Sequence, residues 1–263
     1  MFGKRDVKRA APVRDVAALA APLTVPAVHI VKTDAPSRSH FGGSPNLPPG
    51  IAWPERGGSK LGFLARLSLP EMHAAQRNEW LPDDGALLFF YDLDKQPWGF
   101  DPKDRGGWSV LFVPDLPAPV AHAHAAAFRR IDVLPSFDRD AVAALAFSTK
   151  ESDLYAGMSE DRYGGEPRHQ VGGYPAPIQG DGMELECQLA SNGVYCGDET
   201  GFKDARAQSL AAGAAQWKLL LQMDSDEDLD VMWGDAGTIY YWVQADAARD
   251  GRFDNAWLIL QCH

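Results

Sequence analysis

The sequence predicts an α+β protein built as two duplicated lobes, with mixed or antiparallel sheets and short helices. Three observations carry this reading. Gly-Gly-X-Pro is written twice, each time just after a histidine: "HFGGSP" at His40–Pro45 and "HQVGGYP" at His169–Pro175. The same parts follow each copy in the same order: an apolar strand, a polar segment, an Asp-Gly or Asp-x-Gly turn, and an aromatic-rich strand. Those last strands, "ALLFFY" (Ala86–Tyr91) and "TIYYWV" (Thr238–Val243), are short apolar runs bounded by turns. That is the pattern of strands buried on both faces.

The elements follow in order. Residues 1–26 read as a basic arm and a short helix. Lys4, Arg5, Lys8, Arg9 and Arg14 stand against Asp6, a net +4 over residues 1–14. That is less charge than a stable polybasic anchor needs, so a frayed terminus is expected. "VRDVAALAA" (Val13–Ala21) has the spacing of an amphipathic helix. A single domain is expected over 27–263, with lobe one at about 27–135 and lobe two at about 136–263. In lobe one, "AVHIVK" (Ala27–Lys32), "FLARLSL" (Phe63–Leu69), Ala86–Tyr91, "WSVLFV" (Trp108–Val113) and "FRRIDVLP" (Phe128–Pro135) read as strands. Gly42 and Gly43 allow positive φ, and the X-Pro step then holds the chain extended.

Lobe two opens with a helix over Asp138–Phe147, for which Asp138 is the expected N-cap. Its glycine turn is Gly172–Gly173. The offset between lobes is 130 residues from Gly42 to Gly172 but 152 from Gly85 to Gly237. A helix over Asp204–Ala214 is expected to fill that longer insertion. "WKLLLQMD" (Trp217–Asp224) and Thr238–Val243 are strands. "DAARDG" (Asp246–Gly251) is one or two helical turns ended by glycine, and "NAWLILQC" (Asn255–Cys262) is a last strand. The Pro-rich stretches 45–54 and 114–119 read as surface loops.

The bulk numbers bound the function. The 263 residues are 45% hydrophobic and 23% charged, ample for a packed core and not disordered by composition. A net charge of -11 and a pI near 5.0 argue against general nucleic-acid binding, which needs a basic footprint. No apolar run has the length of a membrane span, and the N-terminus lacks a signal-peptide apolar region. A cytoplasmic location is expected. Cys187, Cys196 and Cys262 are an odd number with no CxxC, so each reads as a small buried hydrophobe.

Several segments together resemble the YwqG-like family, a bacterial domain of unknown function. They are "FGGSPNLPPGIAWP" (Phe41–Pro54), "LPDDGALLFFYD" (Leu81–Asp92), "HQVGGYPAPIQ" (His169–Gln179), "LLLQMDSD" (Leu219–Asp226), "MWGDAGTIYYWV" (Met232–Val243) and "AWLILQC" (Ala256–Cys262). The resemblance spans roughly residues 40–262, with the Trp-Gly-Asp-x-Gly segment its most specific part. It implies an α+β fold with a duplicated unit and carries over no settled activity. It also implies Gln at a strand position of both lobes. Gln222 holds that place in lobe two, whereas Arg66 holds it in lobe one, which would favour an anionic ligand there.

The chemical candidates are few. His40 and His169 each precede a glycine turn and are candidates for acid–base work, with a carboxylate such as Asp235. Alternatively each hydrogen-bonds its own loop. Asp224, Asp226 and Asp228 match calcium-loop positions 1, 3 and 5, and Asp235 falls at position 12, but Leu229 stands where that loop needs glycine. A solvated acidic loop is the expectation there. His122 and His124 have metal-ligand spacing without a neighbouring carboxylate or thiol. No nucleophile elbow, P-loop or dinucleotide fingerprint is present, and no cofactor is implied.

Of eight tryptophans, Trp217, Trp233, Trp242 and Trp257 are expected to pack lobe two. Trp53, Trp98 and Trp108 sit near Pro and Gly in loops, where large aromatics act as binding anchors. The expected function is therefore binding, as an interaction or immunity-type module that recognises a protein or small ligand. The expected surface comprises Gly42, Gly43, Trp53, Arg66, Trp98, Gly172, Gly173, Tyr174 and Gln222. The alternative is a hydrolase or transferase using His40 or His169.

Overall fold

The computed structural model describes residues 12–114 and 124–263. The basic residues Lys4, Arg5, Lys8 and Arg9, most of the Pro-rich stretch 114–119 and His122 lie outside the described residues.

The chain begins with helix α1 (Val16–Ala20), whose first turn is capped by the Asp15 carboxylate accepting from Ala18 N. Strand β1 (Val25–Lys32) follows, then the two-residue strand β2 (His40–Phe41). A small hairpin of β3 (Glu55–Arg56) and β4 (Ser59–Lys60) leads to β5 (Gly62–Ser68). The polar segment after β5 holds helix α2 (Leu69–Ala75). Strands β6 (Ala86–Tyr91), β7 (Trp108–Val113) and β8 (His124–Val133) complete the first half.

The second half starts with α3 (Asp140–Ala143) and α4 (Thr149–Asp161). The short strand β9 (Gln170–Val171) and helix α5 (Met183–Ser191) come next. Helices α6 (Glu199–Phe202) and α7 (Ala207–Leu210) precede β10 (Trp217–Asp224). Then follow β11 (Thr238–Gln244), α8 (Ala245–Arg249) and β12 (Trp257–Gln261).

Two helices differ from expectation. Asp138 does not cap α3: Arg139 occupies the N-cap, and Asp138 instead accepts from Asp181 N. The helix expected over 204–214 is α7 with a 3₁₀ continuation at Ala211–Gln216. Gly213 interrupts the alanine run, and glycine is unfavourable inside an α-helix.

Ten of the described strands form one antiparallel sheet, ordered β12-β11-β10-β9-β1-β8-β2-β5-β6-β7. Outward from the central β1–β8 pair, each side runs in chain order: β9, β10, β11, β12 on one flank and β2, β5, β6, β7 on the other. The registers correspond. His40 pairs with Arg66 on one flank and Gln170 with Gln222 on the other. A bulge falls between Phe63 and Ala65 in β5 and between Leu219 and Leu221 in β10. Beside each bulge, a glycine-turn N–H donates to the strand: Gly42 to Leu64 O at 2.8 Å, Gly172 to Leu219 O at 2.9 Å.

The sheet curls until its flanks face one another across the core. Phe89 meets Tyr241 edge-on at 5.2 Å, and Trp108 meets Trp257 at 5.0 Å. Tyr241 OH donates to Phe90 O and Trp108 Nε1 to Ala256 O, so polar tips of buried aromatics are satisfied across the core. Both faces of β6 and most of β11 are covered, which is why they read as unbroken apolar runs. Trp108 begins β7, as the strand reading of Trp108–Val113 expected, and is buried in this contact rather than displayed on a loop. The largest apolar cluster takes residues from both halves. The three cysteines are free and buried. Among the described residues no helix is long and apolar enough to cross a membrane.

Candidate functional site

The second glycine turn sits beside a cavity of about 410 Å³, lined by Gly172, Gly173 and Tyr174 together with Asn78, Trp80, Trp217 and Trp242 among others. Its walls therefore come from both halves of the chain. Gly172 and Gly173 have φ of +71° and +68°, where glycine avoids the strain an L side chain would bear. The missing side chains also make room. A Cβ on Gly172 would stand 3.1 Å from Asn78 Oδ1, and one on Gly173 would stand 2.6 Å from Val133 Cγ2. Trp242 lies on β11 opposite Leu219 of β10. Its indole N–H is buried and finds no acceptor among the described residues.

Three glutamines hold the turn. Gln170 is 0% exposed. Its Nε2 donates to Gly172 O at 2.7 Å and Tyr174 O at 2.8 Å, while its Oε1 accepts from Tyr163 OH. Gln222 accepts from Ala176 N at 2.9 Å and donates to Arg168 O at 2.7 Å. Gln261 accepts from Ile178 N and Gln179 N and donates to Gly180 O. An amide side chain both donates and accepts, so it can serve a loop as a neighbouring strand would. Tyr240 OH adds a bond to Ala176 O. Arg139 lies over the Tyr174 ring at 5.4 Å, itself fixed by Asp181 and Glu184. Predicted as a ligand contact, Gln222 instead positions the backbone. Gln170, Gln261, Asn78 and Trp80 were not singled out from the sequence. The signal available for the glutamines was their position inside apolar strands or next to the glycine turn.

The first glycine turn has a different setting. His40 Nδ1–H donates to Gly42 O at 3.0 Å, the bond that Gln170 makes to Gly172 O on the other flank. The matching places are thus His40 and Gln170, not His40 and His169. Trp53 packs edge-on over Phe90 at 5.5 Å and donates Nε1–H to Leu61 O at 2.8 Å. With Leu47, it covers the face of β6 that carries Leu88 and Phe90. Phe90 is on β6 where Trp242 is on β11. Arg66 is 1% exposed, and burial pushes its pKa down with help from Arg38. It lines a separate cavity of about 330 Å³ with Arg38, Ser68, Glu71 and Asp84. Trp98 is 42% exposed and, like Trp53, does not line the larger second-half cavity.

Neither candidate histidine meets Asp235. Asp235 is exposed, and its backbone carbonyl accepts from His263 N. His169 is committed at both nitrogens. Nδ1 accepts from Asp224 N at 3.2 Å, and Nε2–H donates to Asp226 Oδ2 at 3.1 Å. That bond and the Lys32 ammonium hold the Asp226 carboxyl well below the usual carboxylate range. His40 is buried, its Nε2 finds no partner among the described residues, and burial lowers its pKa. The acidic loop is tied to neighbouring lysine, arginine and histidine side chains. Asp224 takes Arg168, Asp226 takes Lys32 and His169, and Asp228 takes Lys32. Among the described residues, no cluster of three or more His, Cys, Asp or Glu has the geometry to hold a metal ion.

No curated protein matches the chain in a sequence comparison. A family described only as a domain of unknown function, DUF1963, matches residues 39–262, which takes in both glycine turns and every wall of the cavity except that from β1. The chain belongs to the DUF1963 family.

Proposed function

We propose that this protein binds a small molecule in the cavity between the Gly172–Tyr174 turn and Trp80, Trp217 and Trp242. One observation carries the reading: a rigid glycine turn and three tryptophans from distant parts of the chain converge on one opening of about 410 Å³. That volume falls in the range of small-molecule sites, which are mostly apolar with a few placed polar groups. Indole walls suit a flat or apolar ligand body. Asn78 and the turn backbone supply hydrogen-bonding groups to orient it. The glutamine ties fix the turn before the ligand arrives, which lowers the ordering cost of binding.

Three finer readings accompany this one. The matching strand order, bulges and glycine-turn bonds of the two flanks support an origin by duplication. The ordered motifs support placing the chain within a YwqG-like group. Three free, buried cysteines support a reducing, cytoplasmic setting. The protein-partner and catalytic readings have less support, since Trp53 is packed into its own half and His169 has no nitrogen free.

A thermal-shift screen of metabolites tests the proposal. Compounds that raise the melting temperature of the wild type are then titrated against Trp80→Ala. The proposal expects their effect to vanish in that variant while the unliganded melting temperature stays near wild type. Stabilising compounds that act equally on Trp80→Ala would contradict it.

A further inference from the structure

A second cavity, of about 220 Å³, lies beside the Tyr174–Pro177 segment, against α4 and the end of β8. It shares Tyr174 with the first cavity and none of its tryptophans. Val133, Leu134, Phe137, Tyr155, Ala156 and Pro175 give it a largely apolar wall. Into this wall α4 delivers Arg162, its C-cap residue. A cation complements the C-terminal end of a helix dipole, but that accounts only for the charge, not for its place in an apolar cavity.

The hydrogen bonding of Arg162 is incomplete. Its Nη1 donates to Asp132 O on β8. Its Nε is buried and has no acceptor among the described residues, and its Nη2 makes no hydrogen bond among them. Among the described residues no carboxylate lies within ion-pair distance of it, although Glu160 shares the cavity wall and is exposed. The neighbouring Arg168 also lines the cavity, but its charge is matched by Asp224 at 3.2 Å. One guanidinium charge is therefore left over. With Nη1 bonded and Nε shielded from solvent, Nη2 is the nitrogen left to meet a carboxylate oxygen.

We infer that this cavity is a binding site for a small carboxylic acid with an apolar body, with Arg162 as its anion partner. The apolar wall takes the hydrocarbon or ring, and the carboxylate pairs with the Arg162 guanidinium through Nη2. A single negative charge fits best. Arg162 is the one uncompensated cation among the described wall residues, and Glu160 disfavours a second charge on the ligand. The site does not depend on the proposed tryptophan cavity, since the two are lined by different charged groups.

Calorimetric titration with benzoate, phenylacetate and octanoate, each beside its neutral amide, tests the inference. At least one acid is expected to bind saturably, and its amide at least roughly tenfold more weakly. Arg162→Gln is expected to lose that difference, and Ala156→Phe to block binding by filling the cavity. Trp80→Ala is expected to leave it unchanged, which separates this site from the first. Circular dichroism and melting temperature check that each variant is folded. If none of the acids saturates the wild type, or amides bind as well as acids, the inference is overturned. Unchanged acid binding in folded Arg162→Gln would also overturn it.

Discussion

The two flanks of the sheet solve the same covering problem in different ways. On the first, the outer face of β6 is closed by the chain's own loop, with Trp53 over Phe90 and Leu47 beside it. On the second, Trp242 stands on the corresponding strand and the space before it remains open between Gly173, Trp80 and Trp217. The comparison teaches that a glycine turn leaves an open cavity only where nothing local fills the groove beside it. A tryptophan on a Pro-rich loop fills one groove, and a distant tryptophan merely borders the other.

The largest test of that contrast is steric. Gly173→Ala would press a Cβ to 2.6 Å from Val133 Cγ2 and 2.8 Å from Ala27 Cβ, at a φ of +68°. Overpacking and backbone strain together should cost about 3 kcal/mol or more. Gly42→Ala meets nothing within 4 Å at a φ of +61°, so only strain remains, about 1 kcal/mol. Urea unfolding of both variants should separate them clearly. Equal midpoints would break the claim that the second turn is the tightly seated one.

Next in size is the plug. Trp53→Ala should cost about 2–3 kcal/mol in stability, because it uncovers Phe90 and Leu88. Trp80→Ala, half-buried at a cavity wall, should cost less than about 1 kcal/mol. Thermal denaturation checks the pair, and a reversed order would mean that Trp80, not Trp53, is the tryptophan that plugs a groove. Gln222→Ala should cost about 2 kcal/mol by stranding Ala176 N and Arg168 O. Hydrogen exchange should then speed up across 168–176 and leave the first turn unchanged.

The smallest expected effect concerns pH. Burial, with Glu184 and Asp181 nearby, pushes the Glu186 carboxyl up to about 7. A folded-state value above the unfolded one means that the folded protein holds this proton more tightly. Stability from this group is therefore full at low pH and declines as pH rises from about 4.5 to about 7. Glu186→Gln should remove that decline, raising the melting temperature at pH 8 by on the order of 2 °C relative to wild type. No gain at pH 8 would count against a buried, proton-holding Glu186.

Much of this architecture was readable in the sequence because it rests on local chemistry. The runs Ala86–Tyr91 and Thr238–Val243 could only be buried strands, and Gly42–Gly43 and Gly172–Gly173 had to turn with positive φ. Helices α4 and α5 were not foreseen. Thr149–Asp161 buries little more than Tyr155 and depends on Ser148 and Glu151 at its start, so it lacks a continuous apolar stripe. Met183–Ser191 buries Met183, Cys187 and Ala190 at helical spacing, but interleaves them with glutamates and a glutamine. Of the site, Gly172, Gly173 and Tyr174 were anticipated. Trp80 and Asn78 were not, because only the folding of the first half brings the loop after α2 to the second turn. The histidines drew attention by their chemistry. What the sequence lacked was the knowledge that Asp224 N and Asp226 occupy both nitrogens of His169.

The most direct test is crystallographic: crystals soaked with a library of small flat fragments, with every bound position mapped. The account predicts that fragments gather between Gly173, Trp80 and Trp242 and that none enters beneath Trp53. Fragments that displace Trp53, or that leave the second-half cavity empty while binding elsewhere, would contradict it.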